Sequence, residues 1–299
     1  IKIFFGNGIL SYLKFFYFLI INQTDIYHFL LPKSYIVGGL ATFFIKKKKI
    51  MSRRSMNFYH KKYFFVSLFI EKILHKKMDL IITNNYQAKK QLITDENVKS
   101  SKIMVIPNLI EPPLLKKQKK KNNVITFIYI ANFYKYKRHK KLIDVCSKII
   151  VKKKWKLLMV GDDRENLKDN LKKKIKELKL QQNIKILPLQ SSLSRIYQNA
   201  HFALSASSEE GSSNFLLESI SYGLPIIAFD VGDNKKFFSN NGFLIKQNDF
   251  RELKHNLELM INYDLKKFKK KSLELFRSKL LMNSSVNLYK KVYGNLINS

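Results

Sequence analysis

Glu210 and Glu218 stand eight positions apart across a run of small and apolar residues, Glu210-Gly211-Ser212-Ser213-Asn214-Phe215-Leu216-Leu217-Glu218. Two carboxylates so placed suit the acceptance of hydrogen bonds from the hydroxyls of a ribose or of a sugar. The residues between them suit an anion. Ser212 or Ser213 is the expected N-cap of a helix, and the free N–H groups of a helix N-terminus hold a pyrophosphate without requiring a metal. Gly211 lets the backbone come closer to a ligand than a side chain would allow. Gly223 and Pro225 mark where the helix stops. A capped surface helix carrying two solvated acids has the same residues, and the pattern alone leaves both readings open.

To do chemistry, these groups must lie at the edge of a sheet. Short apolar runs read as buried strands at Asp25 to Leu31, Lys49 to Ser52, Asp79 to Thr83, Lys102 to Ile106, Val124 to Ala131, Trp155 to Val160, Ile184 to Leu187, Phe202 to Ser205 and Ile226 to Asp230. Helical patterns separate them, with Pro32 ending the first strand and an apolar helix expected over Leu40 to Ile45. Continuous apolar strands alternating with helices predict parallel sheets covered on both faces. In such sheets ligands bind beyond the carboxyl ends of the strands, which directs attention to the loops 132–138, 161–164, 206–213 and 231–234. From Phe250 onward only helices are expected.

Glu111-Pro112-Pro113 and the basic run Lys116 to Lys121 read as a solvated linker. The expected domains are therefore residues 1–110, a linker at 111–123, a second domain at 124–282 and a terminal helix at 283–299 that packs back on the first domain. The chain opens on Ile1 with an apolar run, as a segment lacking its natural start would.

The net charge of +34 raises nucleic acid and anionic membrane as partners. Arg occurs only at 53, 54, 138, 164, 195, 251 and 277, and the rest of the positive charge is Lys. Nucleic-acid readers favour Arg for bidentate contacts and a recognisable module. Lys, Ile, Asn and Phe are the residues that AT-rich codons specify, so compositional drift, rather than nucleic acid, explains much of the charge, and a general attraction to anionic lipid surfaces is kept beside it as an expectation. Cys146 stands alone, which rules out a disulfide framework or a cysteine-based metal site and suits a cytoplasmic setting, in solution or at the inner face of the cell membrane. The most apolar stretch, Ile9 to Ile21, contains Lys14 and is shorter than the about 20 residues of a membrane span.

The stretch Glu210 to Asp230 resembles the donor signature of GT-B glycosyltransferases of the retaining family-4 type, with Glu210, Gly211, Asn214, Leu216, Leu217, Glu218, Gly223, Pro225 and Asp230 in place. Val105-Ile106-Pro107-Asn108 resembles the end of that family's first domain, and Ala131 to Arg138 resembles the loop that grips the donor pyrophosphate. Lys137 matches the family's lysine. The usual arginine is replaced, with Asn132 or Tyr134 at its candidate positions and Arg138 as a partial substitute. Gly161-Asp162 resembles a family turn whose second Gly is Asp163 here.

The resemblance implies two doubly wound Rossmann-like α/β domains facing a cleft, the first incomplete at its start. It also implies sugar transfer, with retention, from a nucleotide-sugar donor to a glycan or lipid-linked acceptor. Glu210 would meet the transferred sugar, Glu218 the ribose and Lys137 the leaving phosphate, as the catalytic and donor-holding groups. Gly211, Ser212, Ser213, Asn214, Phe215, Leu216, Arg138, Asn132 and Gly161 would complete the donor site. No cofactor is implied, the nucleotide sugar being a substrate, and no Asp-x-Asp metal motif lies in a suitable loop. On the acceptor side the candidates are Arg53 and Arg54, which an exposed basic pair explains as well, and His28, which a buried structural role also explains. Rival readings are another GT-B activity, such as a nucleotide-sugar epimerase, and a catalytically incomplete sugar-nucleotide-binding protein.

Overall fold

The structure is a computed structural model that describes residues 9–22, 24–54, 60–108, 110–113, 123–280 and 283–298. Ile1 to Phe5, Leu109 and the Lys116 to Lys121 run lie outside the described residues. The chain divides into two compact units, one of Ile1–Pro107 with Asn283–Ser299 and the other of Asn108–Met282.

The first unit runs α1 (Ile9–Ile21), β1 (Ile26–Phe29), α2 (Pro32–Ala41), β2 (Lys48–Arg53), α3 (His60–Lys77), β3 (Leu80–Thr83), α4 (Tyr86–Thr94) and β4 (Ile103–Val105). Its strands pair in parallel in the order β1-β2-β3-β4. The helix expected at Leu40 to Ile45 lies earlier. Pro32 starts α2 instead of only ending β1, because a first-turn proline gives up an N–H that has no helical partner anyway. Gly38 and Gly39 sit inside that helix. A Cβ at Gly38 would come within 2.4 Å of the Phe29 ring, and one at Gly39 within 2.9 Å of Leu74, so the pair serves close packing rather than a turn.

The second unit runs β5 (Ile125–Ile130), α5 (His139–Cys146), β6 (Trp155–Val160), α6 (Lys168–Glu177), β7 (Ile184–Leu187), α7 (Ser194–Asn199), β8 (Phe202–Ser205), α8 (Asn214–Ser221), β9 (Ile226–Phe229), β10 (Gly242–Ile245), α9 (Phe250–Asn262) and α10 (Lys266–Leu275). The sheet order is β10-β9-β8-β5-β6-β7, all parallel. Every residue of β8 and β9 is buried, as helices on both faces require. At the centre Phe127 of β5 stacks on Phe202 of β8, ring centroids 4.8 Å apart.

The last helix, α11 (Asn283–Ile297), returns to the first unit, where Val292 is buried with Ile50, Ile82 and Ile106. No helix among the described residues is long and apolar enough to cross a membrane.

Candidate functional site

From β5 the chain steps outward through β6 and β7, then returns to lay β8 on the other side of β5 and proceeds outward to β9 and β10. The order thus reverses between β5 and β8, the point in an open parallel sheet beyond whose strand ends ligands bind. The loop after β5 carries Lys137 and the loop after β8 carries Glu210. Lys137 Nζ meets Glu210 Oε1 at 2.5 Å, both side chains mostly buried. The two loops are further joined where Ser208 donates through its amide, at 2.8 Å, and its hydroxyl, at 3.1 Å, to the carbonyl of Tyr136. Tyr129 of β5, fully buried, donates its hydroxyl to the Lys137 carbonyl at 2.9 Å and so fixes the backbone that carries the ammonium. Burial, then the Glu210 charge, push the Tyr136 phenol up to about 12.

Ser213 is the N-cap of α8, its hydroxyl accepting from the Leu216 amide at 3.4 Å. The far end of α8 is closed by Gly223 at φ +71°. Its amide donates to the Ile220 carbonyl, and the amide of Leu224 donates to that of Ser219, the paired bonds of a left-handed helix stop. Phe215 and Leu216 bury their side chains, and since the Leu216 amide bonds the Ser213 cap, the backbone N–H of Phe215 is what this pair can offer a ligand. Asn214 is exposed, and its carbonyl oxygen accepts from the amide group of Asn108.

The turn after β9 supports the loop from behind. Asp233 donates its amide to the Gly211 carbonyl at 3.0 Å, and Lys236 donates to Ser212 Oγ at 2.8 Å. Gly232, at φ +57°, lies so close that a Cβ there would come within 2.2 Å of the Glu210 carbonyl oxygen. Glu218, on the half-buried side of α8, accepts from the hydroxyl of Tyr197 at 2.6 Å.

Three donor-side candidates take supporting places. Asn132 accepts the Asp162 amide on its side-chain oxygen at 3.0 Å, and Gly161 passes so near Ala131 that a Cβ would lie 2.2 Å from its carbonyl oxygen. Together they weld the β5 and β6 loop ends. Arg138 adopts left-handed φ, +57°, ahead of α5, and its guanidinium lies over the ring of Phe250, 5.8 Å from the centroid.

The first-unit candidates part company. Arg53 is 2% exposed, not a surface cation. It donates to Glu71 at 2.8 Å and also to Glu96, while His75 bonds the other Glu96 oxygen at 2.5 Å and Tyr35 at 2.6 Å. Arg53 is thereby withdrawn from contact with an acceptor. Glu71, His75 and Glu96 could by spacing hold a metal ion, with ligand atoms within 4.8 Å of one another. The guanidinium already fills that role, since it bonds both carboxylates and supplies the balancing positive charge. Burial alone would raise Glu96, but the His75 hydrogen bond and Arg53 outweigh it and hold the carboxyl down at about 2. His28 bonds Tyr293 and Ser52, each at 2.7 Å, and burial with the nearby Arg54 charge lowers it to about 4. It is a neutral, half-buried link between β1, β2 and α11. Arg54 is exposed at the end of β2.

Sequence reasoning missed Tyr129, Tyr197 and Lys236, and with them the partners of Arg53. The first two are aromatics within apolar patterns, where they read as core. The i,i+4 spacing of Glu71 and His75 was the one local sign of the buried network.

The sequence profile of the family described as Glycosyl transferases group 1 matches residues 111–274. An uncharacterized glycosyltransferase of Haemophilus influenzae is 30% identical over 191 residues, covering 62% of this chain and 52% of that protein. The N-acetylgalactosamine-N,N'-diacetylbacillosaminyl-diphospho-undecaprenol 4-alpha-N-acetylgalactosaminyltransferase of Campylobacter jejuni is 24% identical over 205 residues, 67% of this chain and 55% of its own length. The chain thus spans about half the length of these two curated relatives. Among solved structures, Anabaena HepE in complex with UDP superposes with a TM-score of 0.82 at 16% identity, over 96% of this chain and 82% of that one.

Proposed function

The chain belongs to the glycosyl transferases group 1, and on that premise we propose that it transfers a sugar, with retention of configuration, from a nucleotide sugar to a glycan or lipid-linked acceptor. Its two parallel-sheet α/β units have the GT-B fold. The observation that carries the proposal is the Lys137–Glu210 pair at 2.5 Å, set at the reversal of strand order beside the capped start of α8. Fixed positive charge and aligned N–H dipoles there suit a departing nucleoside diphosphate, whose negative charge grows as the bond to the sugar breaks. An ammonium has three donors, so one bond to Glu210 leaves capacity for phosphate oxygens.

In this reading Lys137 and the first-turn amides of α8 neutralise the leaving phosphate, and Glu210 accepts from hydroxyls of the transferred sugar. Glu218 accepts from the ribose. The acceptor hydroxyl attacks the anomeric carbon on the face the phosphate leaves, and its proton passes to that phosphate. No cofactor is needed. A lipid-linked acceptor is favoured by the C. jejuni relative, named for a diphospho-undecaprenol substrate. An anionic membrane surface at the cytoplasmic side is favoured by the net charge of +34 and by the exposed Leu10, Leu13 and Tyr17 on α1. Arg54, exposed beyond β2, is the remaining acceptor-side candidate.

Thermal unfolding with UDP, GDP and ADP and their sugar conjugates tests this. One nucleotide series at about 100-fold above its dissociation constant should stabilise by about 2.7 kcal/mol, and Glu218→Ala should abolish most of the shift. Glu210→Gln should stop turnover of the sugar conjugate while still binding nucleotide. Binding without turnover in the unaltered chain would instead indicate a sugar-nucleotide-binding protein, and no shift with any nucleotide would overturn the donor site.

A further inference from the structure

Glu218 is pinned by one of its two oxygens. Tyr197 donates to Oε2 at 2.6 Å, and Tyr197 is 2% exposed, so its ring cannot follow a carboxylate that swings. The ring lies flat on Tyr222, centroids 4.8 Å apart and planes 11° from parallel. Tyr222 in turn donates to Ser194 Oγ at 3.0 Å, at the first residue of α7. The stacked pair joins α7 to the end of α8 and sets the direction in which the phenol points. Burial, then the Glu218 charge, push the Tyr197 phenol far above its ordinary range, so the hydroxyl keeps the proton that it donates to Glu218.

We propose that Tyr197 is a positioning residue for the donor nucleotide: by occupying Oε2 it orients the Glu218 carboxylate, leaves Oε1 to the ribose hydroxyls, and so selects a ribonucleotide over its 2′-deoxy counterpart. The proposal rests on the assignment of Glu218 to the ribose. A carboxylate with both oxygens free samples several rotamers and loses that freedom on binding, whereas one already fixed incurs no such loss. A tyrosine that merely joined two helices would affect stability but not the choice between ribose and deoxyribose.

Calorimetric titration of the full chain with UDP, GDP and ADP, and with the 2′-deoxy form of each, separates these roles. The unaltered protein should bind one base series and prefer its ribose form. Tyr197→Phe keeps the ring and its stack and removes only the hydroxyl. It should lower that preference by about tenfold, the worth of the ribose hydrogen bond that a misoriented Glu218 carboxylate would lose, with little change in affinity for the deoxy form. Tyr222→Phe removes the bond to Ser194 but leaves the stack and the phenol on Glu218, and should keep the preference. An unchanged preference in Tyr197→Phe, or an equal loss in both variants, would overturn the proposal. Should Tyr197→Phe not fold, 4-fluorophenylalanine at position 197, which fills the place of the hydroxyl but cannot donate, should lose the preference in the same way. An unchanged preference there would count against the proposal. A wild-type chain that binds its nucleotide without regard to the 2′-hydroxyl removes the role given to Tyr197 alone; one that binds none of the nucleotides removes the assignment of Glu218 itself.

Discussion

Lys137 faces Glu210 across two loops that meet only because β5 and β8 are neighbours. Lys137→Ala should lower the transfer rate by about a hundredfold to a thousandfold, the usual cost of removing one preorganised group at developing charge, with a melting temperature close to that of the parent. Steady-state kinetics with the sugar nucleotide would show it. Tyr129→Phe removes the donor from the Lys137 carbonyl and should cost about 1 kcal/mol of stability, read by denaturant titration, with a smaller loss of rate. The two glutamates stand out in the sequence as carboxylates at fixed spacing in a small-residue loop, whereas Lys137, set among aromatic and basic residues, is marked only by the resemblance to the family. Tyr129 was not legible, since an aromatic within Val124 to Ala131 carries no mark of what its hydroxyl does. Arg53 misled in the opposite sense. A basic pair at a strand end reads as surface, and its carboxylate partners, Glu71 and Glu96, come from separate elements whose convergence has no local sign.

Helix α8 owes its place to its two ends, and the loop before it to the turn after β9. Gly232→Ala would put a side chain at positive φ and against the Glu210 carbonyl. It should destabilise by roughly 1–3 kcal/mol and weaken nucleotide binding beyond that, measurable as separate changes in melting temperature and dissociation constant. Ser213→Ala should cost up to about 1 kcal/mol through the lost cap. The alternation of strand and helix in the second unit was readable because its strands are continuous apolar runs bounded by Gly, Pro or Asn. The helix α2 was misplaced because proline both ends strands and starts helices, and the choice is settled by packing against Phe29 and Leu74. The edge strand β10 was not foreseen, since the four residues of Gly242–Ile245 are too few to display a period.

Among the described residues Glu96 and His139 contribute to the acid limit, beside His28, which burial lowers from 6.5 to about 4. Glu96 is lowered from 4.5 to about 2, so its share of stability is fully present above about 4.5 and is lost as pH falls toward 2. His139, buried between Tyr129 and Phe133, is lowered from 6.5 to about 3 by burial and then by Lys137. Its share is full above about 6.5 and is lost on the way down to 3. Melting temperature should therefore fall steadily below pH 6.5, more steeply below 4.5, and His139→Phe should flatten the upper part of that decline. The charge of +34 should bring the chain down with vesicles containing anionic lipid but not with neutral ones, and salt should release it. Two parallel-sheet domains were legible from rhythm alone; the strand order, which makes β5 and β8 neighbours, was not, because it is decided by which strands bury each other. The return of α11 has a consequence in time. Val292, Tyr289 and Tyr293 cover Ile50, Ile82 and Ile106, yet they are made long after them. At about 5–20 residues per second, a ribosome that has released the Ile106 face needs roughly ten to forty seconds more to supply its cover. Through that interval the nascent first unit presents an open apolar surface, which makes it a client for chaperones, and a chain cut short before Asn283 would keep that need for good.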